Sequence, residues 1–201
     1  MKNILIIVDM QSGFTQQKRL QKLTKNIANL LKKNIFDIVI ATRFLNHNDS
    51  IYEKLLDWHR LKGEIEQQID KNIKQYIDIT IDKNIYNCVN ESFIKKLCLL
   101  NDGKKPKNIF IAGVDTDCCV LVIATSLFEN GIRPIVLTKY CNSNGGKKSH
   151  KAGLLCLKRL IGTKQLISAR ICSKKDLNRF VPNDTFALSR GGTELKQSST
   201  K

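Results

Sequence analysis

The sequence lacks any apolar run approaching the roughly 20 residues that a membrane-spanning helix needs. Its first apolar run, in MKNILIIVDM, is short and is interrupted by Asp9. A signal peptide requires a longer apolar segment after its positive residues, so this run is interpreted as a first β-strand. We therefore expect a soluble, cytoplasmic protein that does not bind a membrane.

The cysteines lack the regular spacing of a disulfide framework or of paired zinc-ligand knuckles. The chain contains seven cysteines, an odd number, and two of them are adjacent, Cys118 and Cys119. The simplest interpretation is a reduced, intracellular chain. The adjacent pair raises the question of which cysteine, if either, acts as a nucleophile.

Acidic residues are few relative to basic ones, with 18 Asp and Glu against 34 Lys and Arg, which gives a formal net charge of +16. Such a charge would suit a nucleic-acid partner because phosphates attract clustered lysine and arginine. The basic residues are spread along the chain, and general basicity is weaker evidence than a binding motif. We expect no specific nucleic-acid partner, while a basic nucleic-acid-binding protein remains an alternative.

Apolar runs alternate with stretches of helical periodicity along the chain. Residues 4–8 form a continuous apolar run, which is typical of a strand buried on both faces of a parallel sheet. Residues 18–33 then place leucine and isoleucine at helical spacing. Further strands are predicted at 37–41, 77–81, 108–112, 134–137 and 165–167, and further helices at 91–100, 117–130 and 147–160.

This alternation predicts an α/β fold with three α-β-α layers around a central, mainly parallel sheet, because helical crossovers cover both sheet faces. The 201 residues suit one domain, which we assign to residues 1–181. Residues 43–90 are less regular and are interpreted as an insertion that covers the site. Residues 182–201 are polar and rich in Ser, Thr and Gly, so a disordered C-terminal tail is predicted there.

Chemically capable side chains follow the predicted strands, at the edge where sites collect in such sheets. A thiol at a helix N-terminus, as at Cys118 or Cys119, is favoured as thiolate, and the N–H groups of that turn can bind an oxyanion. Asp9 can accept the thiol proton, and Lys83 can stabilise the thiolate. Structural interpretations stay open for each: a core cysteine, a turn-capping aspartate and a solvated lysine.

Three segments then allow a comparison: ILIIVDMQSGF at 4–14, KNIYNCVNESF at 83–93 and GVDTDCCVLVIATSLFENG at 113–131. In this order they resemble the isochorismatase-like cysteine hydrolases, which include nicotinamidases and N-carbamoylsarcosine amidases. The resemblance extends from residue 4 to about residue 170 and implies a Rossmann-like α/β fold. It also implies a homo-oligomer, either a dimer or a tetramer, that needs no redox cofactor.

The resemblance implies a catalytic triad of Asp9, Lys83 and Cys119. Asp9 would be the acid/base and Cys119 the nucleophile, while Cys118 occupies a position that the family fills variably. The expected function is hydrolysis of a small amide or related C–N bond through a thioester on Cys119. A catalytically inactive or regulatory member of the same fold is the alternative.

The resemblance also bears on the backbone around the nucleophile. It implies a cis peptide bond between Val114 and Asp115. The backbone amides of Asp115 and Cys119 would then be the oxyanion donors.

The segment TRFLNHND departs from zinc-dependent nicotinamidases, which carry a D-x-H motif at this place. Phe44 stands where the carboxylate ligand would be, so no metal is expected. The stretch TRFLNHNDSIYEKLLDWHRL resembles a metal-free branch in which this loop builds the substrate pocket. Arg43 and Asn46 are candidate contacts for a carboxylate or amide of the substrate, and Phe14 is a candidate apolar wall. An ion pair within the insertion is an equal alternative for Arg43.

Overall fold

The computed structural model describes residues 2–181. Six strands form one parallel sheet in the order β3-β2-β1-β4-β5-β6. They are β1 Ile4–Val8, β2 Ile38–Phe44, β3 Ile79–Lys83, β4 Asn108–Gly113, β5 Arg133–Cys141 and β6 Leu166–Ile167. The sheet confirms the predicted α/β fold. The predicted disordered tail at 182–201 lies outside the described residues, so this domain boundary stays a prediction.

Seven α-helices occur in the described chain: α1 Lys18–Leu31, α2 Ile51–Leu56, α3 Glu64–Gln67, α4 Glu91–Leu100, α5 Cys119–Glu129, α6 Gly146–Leu160 and α7 Lys174–Asn178. Two short 3-10 turns complete the elements, at Lys74–Tyr76 and Thr163–Gln165. Within residues 2–181, no helix combines the length and apolarity required to cross a membrane.

Several predicted boundaries differ from the structure. Strands β2 and β5 extend to Phe44 and Cys141, beyond the predicted ends at 41 and 137, and α5 begins later than expected. The helix expected from residue 117 begins at Cys119, because Cys118 has a non-helical backbone with φ −127° and ψ −100°. The residues before it form a turn in which Thr116 N–H donates to the carbonyl of Asn142. Cys119 is therefore the first residue of α5, and Cys118 is its N-cap.

Two apolar cores cover the two faces of the sheet. Successive side chains of a strand point to opposite faces, so Leu5 and Ile7 of β1 pack with α1, whereas Ile4 and Ile6 pack with α4, α5 and α6. All four side chains are fully buried. This double burial explains why the first strand reads as an uninterrupted apolar run, and it gives the three-layer architecture.

The sheet order brings the carboxyl ends of β1 and β4 side by side. Val8, the last residue of β1, is in register with Gly113, the last residue of β4. Gly113 has φ 120°, and a Cβ atom added to it would lie 2.2 Å from the carbonyl oxygen of Val8. Only glycine fits this approach, which sets the loop before α5 directly beside the loop that follows β1.

Candidate active site

Asp9, Lys83 and Cys119 come together at the carboxyl edge of the sheet. Lys83 Nζ lies 2.7 Å from Asp9 Oδ2 and 3.3 Å from Cys119 Sγ. The three residues are buried, with exposed fractions of 0%, 7% and 5% for Asp9, Lys83 and Cys119. The lysine ammonium therefore bridges a carboxylate and a thiol that lie on different elements.

The position of Asp9 is fixed by contacts with β2. Thr42 Oγ1 donates to Asp9 Oδ1 at 2.6 Å and accepts from the Asp9 N–H at 3.1 Å. The next polar residue, Gln11, donates to the Phe44 carbonyl and accepts from the Phe44 N–H. Sequence reasoning missed Thr42, although a threonine within an otherwise apolar strand is the signal that points to it. With Oδ1 held by Thr42, Oδ2 is the oxygen that faces Lys83.

The protonation of the thiol differs from the sequence-based expectation of a stabilised thiolate. Burial, followed by the charge of Asp9, raises the pKa of Cys119 well above its ordinary value, and Lys83 only partly opposes this. Burial would lower the pKa of Lys83, but the negative charge of Asp9 and the hydrogen bonds to Asp9 and Cys119 outweigh it and raise that pKa. At neutral pH these two shifts favour a neutral Cys119 thiol beside a protonated Lys83.

The backbone around Cys119 leaves two N–H groups without a partner among residues 2–181. The Val114–Asp115 peptide bond is cis. The N–H groups of Cys118 and Val120 both donate to the Asp115 carbonyl. By contrast, the N–H groups of Asp115 and Cys119 donate to no other residue within the described chain. These are the two amides that the sequence resemblance assigns to an oxyanion.

A cavity of about 230 Å³ opens beside Cys119. Its wall contains five aromatic rings: Phe14, Phe44, Tyr52, Trp58 and Tyr86. Phe14 and Trp58 are stacked with their ring centroids 6.2 Å apart, and Tyr52 meets Phe44 edge to face at 5.0 Å. The insertion after β2 supplies much of this wall, and Phe14 lines the cavity where an apolar wall was expected.

Phe14 lines the cavity, whereas Arg43 lies outside its wall. Its guanidinium donates to both carboxylate oxygens of Asp82, at 2.7 and 2.8 Å. The two residues lie opposite each other in the register of β2 and β3, and the Arg43 side chain is 36% exposed. Of the two expectations for Arg43, this placement favours the ion pair within the insertion over the substrate contact.

Asn46 also lies outside the cavity wall, and its side chain forms hydrogen bonds within its own loop. Its amide donates to the carbonyls of Trp58 and Arg60 at 3.3 and 2.9 Å, and its oxygen accepts from Ser50 Oγ at 2.7 Å. A buried amide with these partners has no donor left for a substrate. These hydrogen bonds favour a role for Asn46 in holding the insertion in shape over the expected substrate contact.

The side chain of Asp115 was not anticipated in the cavity wall, where it lies with Asn144. Asp115 Oδ1 accepts from the Asn144 N–H at 2.7 Å and from Asn144 Nδ2 at 3.1 Å. Burial raises the pKa of Asp115 to about 6 despite these bonds. Its placement follows from the turn before α5, which periodicity does not reveal.

Metal-binding side chains do not gather at this site. Across residues 2–181, no cluster of three His, Cys, Asp or Glu residues could hold a metal ion. His47, which lies within the TRFLNHND segment, instead places Nδ1 2.8 Å from the carbonyl of Asn48.

Comparison with known proteins gives a family and a shared fold. The isochorismatase domain profile matches residues 3–165. An isochorismatase-like hydrolase from Alkaliphilus metalliredigens has a TM-score of 0.69 at 16% identity, covering 89% of this chain and 98% of that chain. A nicotinamidase from Bacillus subtilis has a TM-score of 0.68 at 19% identity, with coverages of 84% and 100%.

An N-carbamoylsarcosine amidase from Thermoplasma acidophilum has a TM-score of 0.65 at 16% identity, covering 81% of this chain and 94% of that chain. No curated protein sequence matches significantly. At these identities the solved structures establish a common fold, and the chemistry rests on the residues of this chain.

Proposed function

Because the chain belongs to the isochorismatase domain family, we propose that it is a cysteine hydrolase that cleaves a small amide or related C–N bond. The observation that carries this proposal is the buried cluster in which Lys83 Nζ contacts both Asp9 and Cys119. A carboxylate, a fixed cation and a thiol are the groups that covalent hydrolysis of an amide needs.

In the acylation step, the Cys119 thiol attacks the substrate carbonyl while Asp9 takes the thiol proton. This coupling is needed because the raised pKa of Cys119 keeps the free thiol protonated. Lys83 stabilises the negative charge that develops on sulfur, and the amides of Asp115 and Cys119 donate to the oxyanion. The C–N bond then breaks, and Asp9 returns the proton to the departing amine or ammonia, leaving a thioester on Cys119.

In the deacylation step, Asp9 acts as a base a second time. It removes a proton from a water molecule that attacks the thioester carbonyl, and the same backbone amides hold the second oxyanion. Collapse of this intermediate breaks the C–S bond, releases the carboxylic acid and returns the proton to sulfur. The position of Asp9, held by Thr42 on one oxygen and next to Lys83 on the other, supports both roles.

The size of the cavity supports a small substrate. Its volume of about 230 Å³ lies below the roughly 300–1,000 Å³ that is usual for drug-sized ligands. The aromatic side chains around it lower the polarity near the reacting carbonyl, which strengthens the electrostatic interactions of the site.

The test is ammonia release from a panel of small primary amides by the wild-type protein and by Cys119→Ala. Cys118→Ala is a matched control, since it removes the neighbouring thiol of the same turn. We expect turnover in wild type and Cys118→Ala but none in Cys119→Ala. Equal activity in Cys119→Ala would contradict the proposal, and the absence of turnover in all three proteins would favour the inactive or regulatory alternative.

A further inference from the structure

Asp115 lines a pocket whose wall also holds five aromatic rings, the thiols of Cys118 and Cys119, and the side chains of Leu56, Arg60 and Asn144. Asn144 holds one carboxylate oxygen, Oδ1, through two hydrogen bonds. The other oxygen, Oδ2, receives no hydrogen bond from any residue between 2 and 181. An oriented carboxylate with one free oxygen in a cavity wall is able to contact a bound ligand.

Arg60 lies in the pocket wall with its Nε 3.8 Å from Glu66 Oε1, and Lys83 lies beside Cys119. Other groups of the chain already engage both cations. Lys83 is paired with Asp9 at 2.7 Å. The Arg60 guanidinium donates to the carbonyl of Gly13 at 2.6 Å and to Gln16 Oε1 at 3.0 Å. Among the described residues, none forms an ion pair with Asp115. Its negative charge is therefore left for the ligand to compensate.

The aromatic rings of the pocket also favour a positively charged ligand. The face of an aromatic ring carries partial negative charge and attracts a cation within about 6 Å of the ring centre. The pocket offers Phe14 stacked on Trp58, and it offers Tyr52 meeting Tyr86 at 5.1 Å. A carboxylate together with several rings is the combination that binds quaternary or protonated amines.

We propose that this pocket selects amides that carry a positive charge, with an ammonium group held by the Asp115 carboxylate and the aromatic rings while the amide carbonyl faces Cys119. This inference rests on the proposed amide hydrolysis, and it names the substrate class of that site. It assigns the Asp115 side chain a role in specificity that is separate from its backbone N–H.

Two electrostatic conditions bear on this selection. With its pKa raised to about 6 by burial, Asp115 is ionised at neutral pH. The chain's net charge of +16 repels cations at long range, but exposed charges separated by more than about 8 Å are largely screened at physiological salt. The local carboxylate therefore decides the preference within the pocket.

The experiment compares betaine amide, which carries a trimethylammonium group, with 3,3-dimethylbutanamide, its neutral isostere. Binding is measured in Cys119→Ala protein, where no thioester forms, by the fluorescence of Trp58. Trp58 is the single tryptophan of the chain and lines the pocket. The same titrations are made after adding Asp115→Asn or, as a matched control, Asp117→Asn, which removes an equal charge outside the cavity wall.

We expect the cation to bind about tenfold more tightly than its isostere in the Cys119→Ala protein. Asp115→Asn should bring the ratio of the two dissociation constants close to one, and Asp117→Asn should leave it high. Equal or weaker binding of the cation, a preference that survives Asp115→Asn, or no fluorescence response to either compound would overturn the inference.

The failure of the proposed function would look different. Selective binding of the cation without ammonia release by the wild-type protein would contradict amide hydrolysis and support the selection of cations. Conversely, release of ammonia from neutral amides with no preference for the cation would support hydrolysis and overturn the assignment of Asp115. Circular dichroism of each variant establishes that it is folded before its binding is compared.

Discussion

Lys83 Nζ lies 2.7 Å from Asp9 Oδ2, and both side chains are withdrawn from solvent. Burying two charges is costly, and removing one partner leaves the other charge without compensation. Asp9 follows the central strand β1 and Lys83 ends the edge strand β3, so the sheet order is what brings them together. The pair links the stability of this edge of the sheet to its proposed chemistry.

The first prediction concerns the energy of this pair. Asp9→Asn and Lys83→Met should each lower the free energy of unfolding by about 3–5 kcal/mol, because each leaves one buried charge unpaired. The double variant should lose clearly less than the sum of the two single losses. Urea denaturation of the four proteins measures this coupling.

The exposed pair Arg43–Asp82 is the matched control, since it also joins neighbouring strands. Arg43→Met and Asp82→Asn should show coupling of only about 0–1 kcal/mol, because water competes for both charges. Additive losses at Asp9 and Lys83 would show that the two buried groups are not energetically coupled.

A second prediction separates residues that line the pocket from those that shape the loop. Phe14→Ala should raise KM for the best small amide about tenfold or more, because it removes a large apolar contact. Arg43→Ala should change kcat/KM by less than about twofold, since its partner is Asp82. Steady-state kinetics of both variants is the measurement. A larger change in kcat/KM in Arg43→Ala than in Phe14→Ala would favour Arg43 as a substrate contact.

A third prediction concerns Asp115 and pH. Burial raises its pKa to about 6, above the ordinary value of about 3.9. The folded state therefore binds this proton more tightly than the unfolded state. The stability that the proton contributes is full below about pH 4 and is lost as the pH rises through about 6.

Asp115→Asn removes this dependence, so the variant should gain stability relative to wild type between about pH 4 and 7, by up to about 3 kcal/mol. Asp9 and Asp117 add to the raised pKa by repulsion, while the bonds from Asn144 oppose it. Denaturation of both proteins across this range measures the effect. A stability difference that does not change with pH would show that Asp115 keeps an ordinary pKa.

Much of the fold follows from local patterns in the sequence. The apolar run at β1 is a clear signal because this strand is buried on both faces. The helical periodicity at α1 is clear because this helix buries one face. The insertion after β2 was less accessible to prediction, since its short helices α2 and α3 depend on contacts with the sheet edge. The start of α5 was displaced because the turn before it is fixed by Asn142, far along the chain.

Some features of the candidate site also follow from the sequence, whereas others depend on the folded structure. Asp9, Lys83 and Cys119 were identified from motifs, and the sheet brings them within contact distance. Motifs do not report burial, so the raised pKa of Cys119 was not anticipated. The sequence left Arg43 open between a substrate contact and an ion pair, because its partner depends on strand register. The homo-oligomer and the cytoplasmic location stay predictions.

We propose that Cys119, and not Cys118, forms the covalent intermediate. Brief reaction with p-nitrophenyl acetate, an acyl donor whose leaving group needs no protonation, followed by intact-mass analysis and peptide mapping, tests it most directly. We predict a single acetyl group on Cys119 in wild type and Cys118→Ala, slower acylation in Asp9→Asn and no stoichiometric acylation in Cys119→Ala. Acetylation of Cys118, or of the exposed Cys156 and Cys172 in preference to Cys119, would contradict the account.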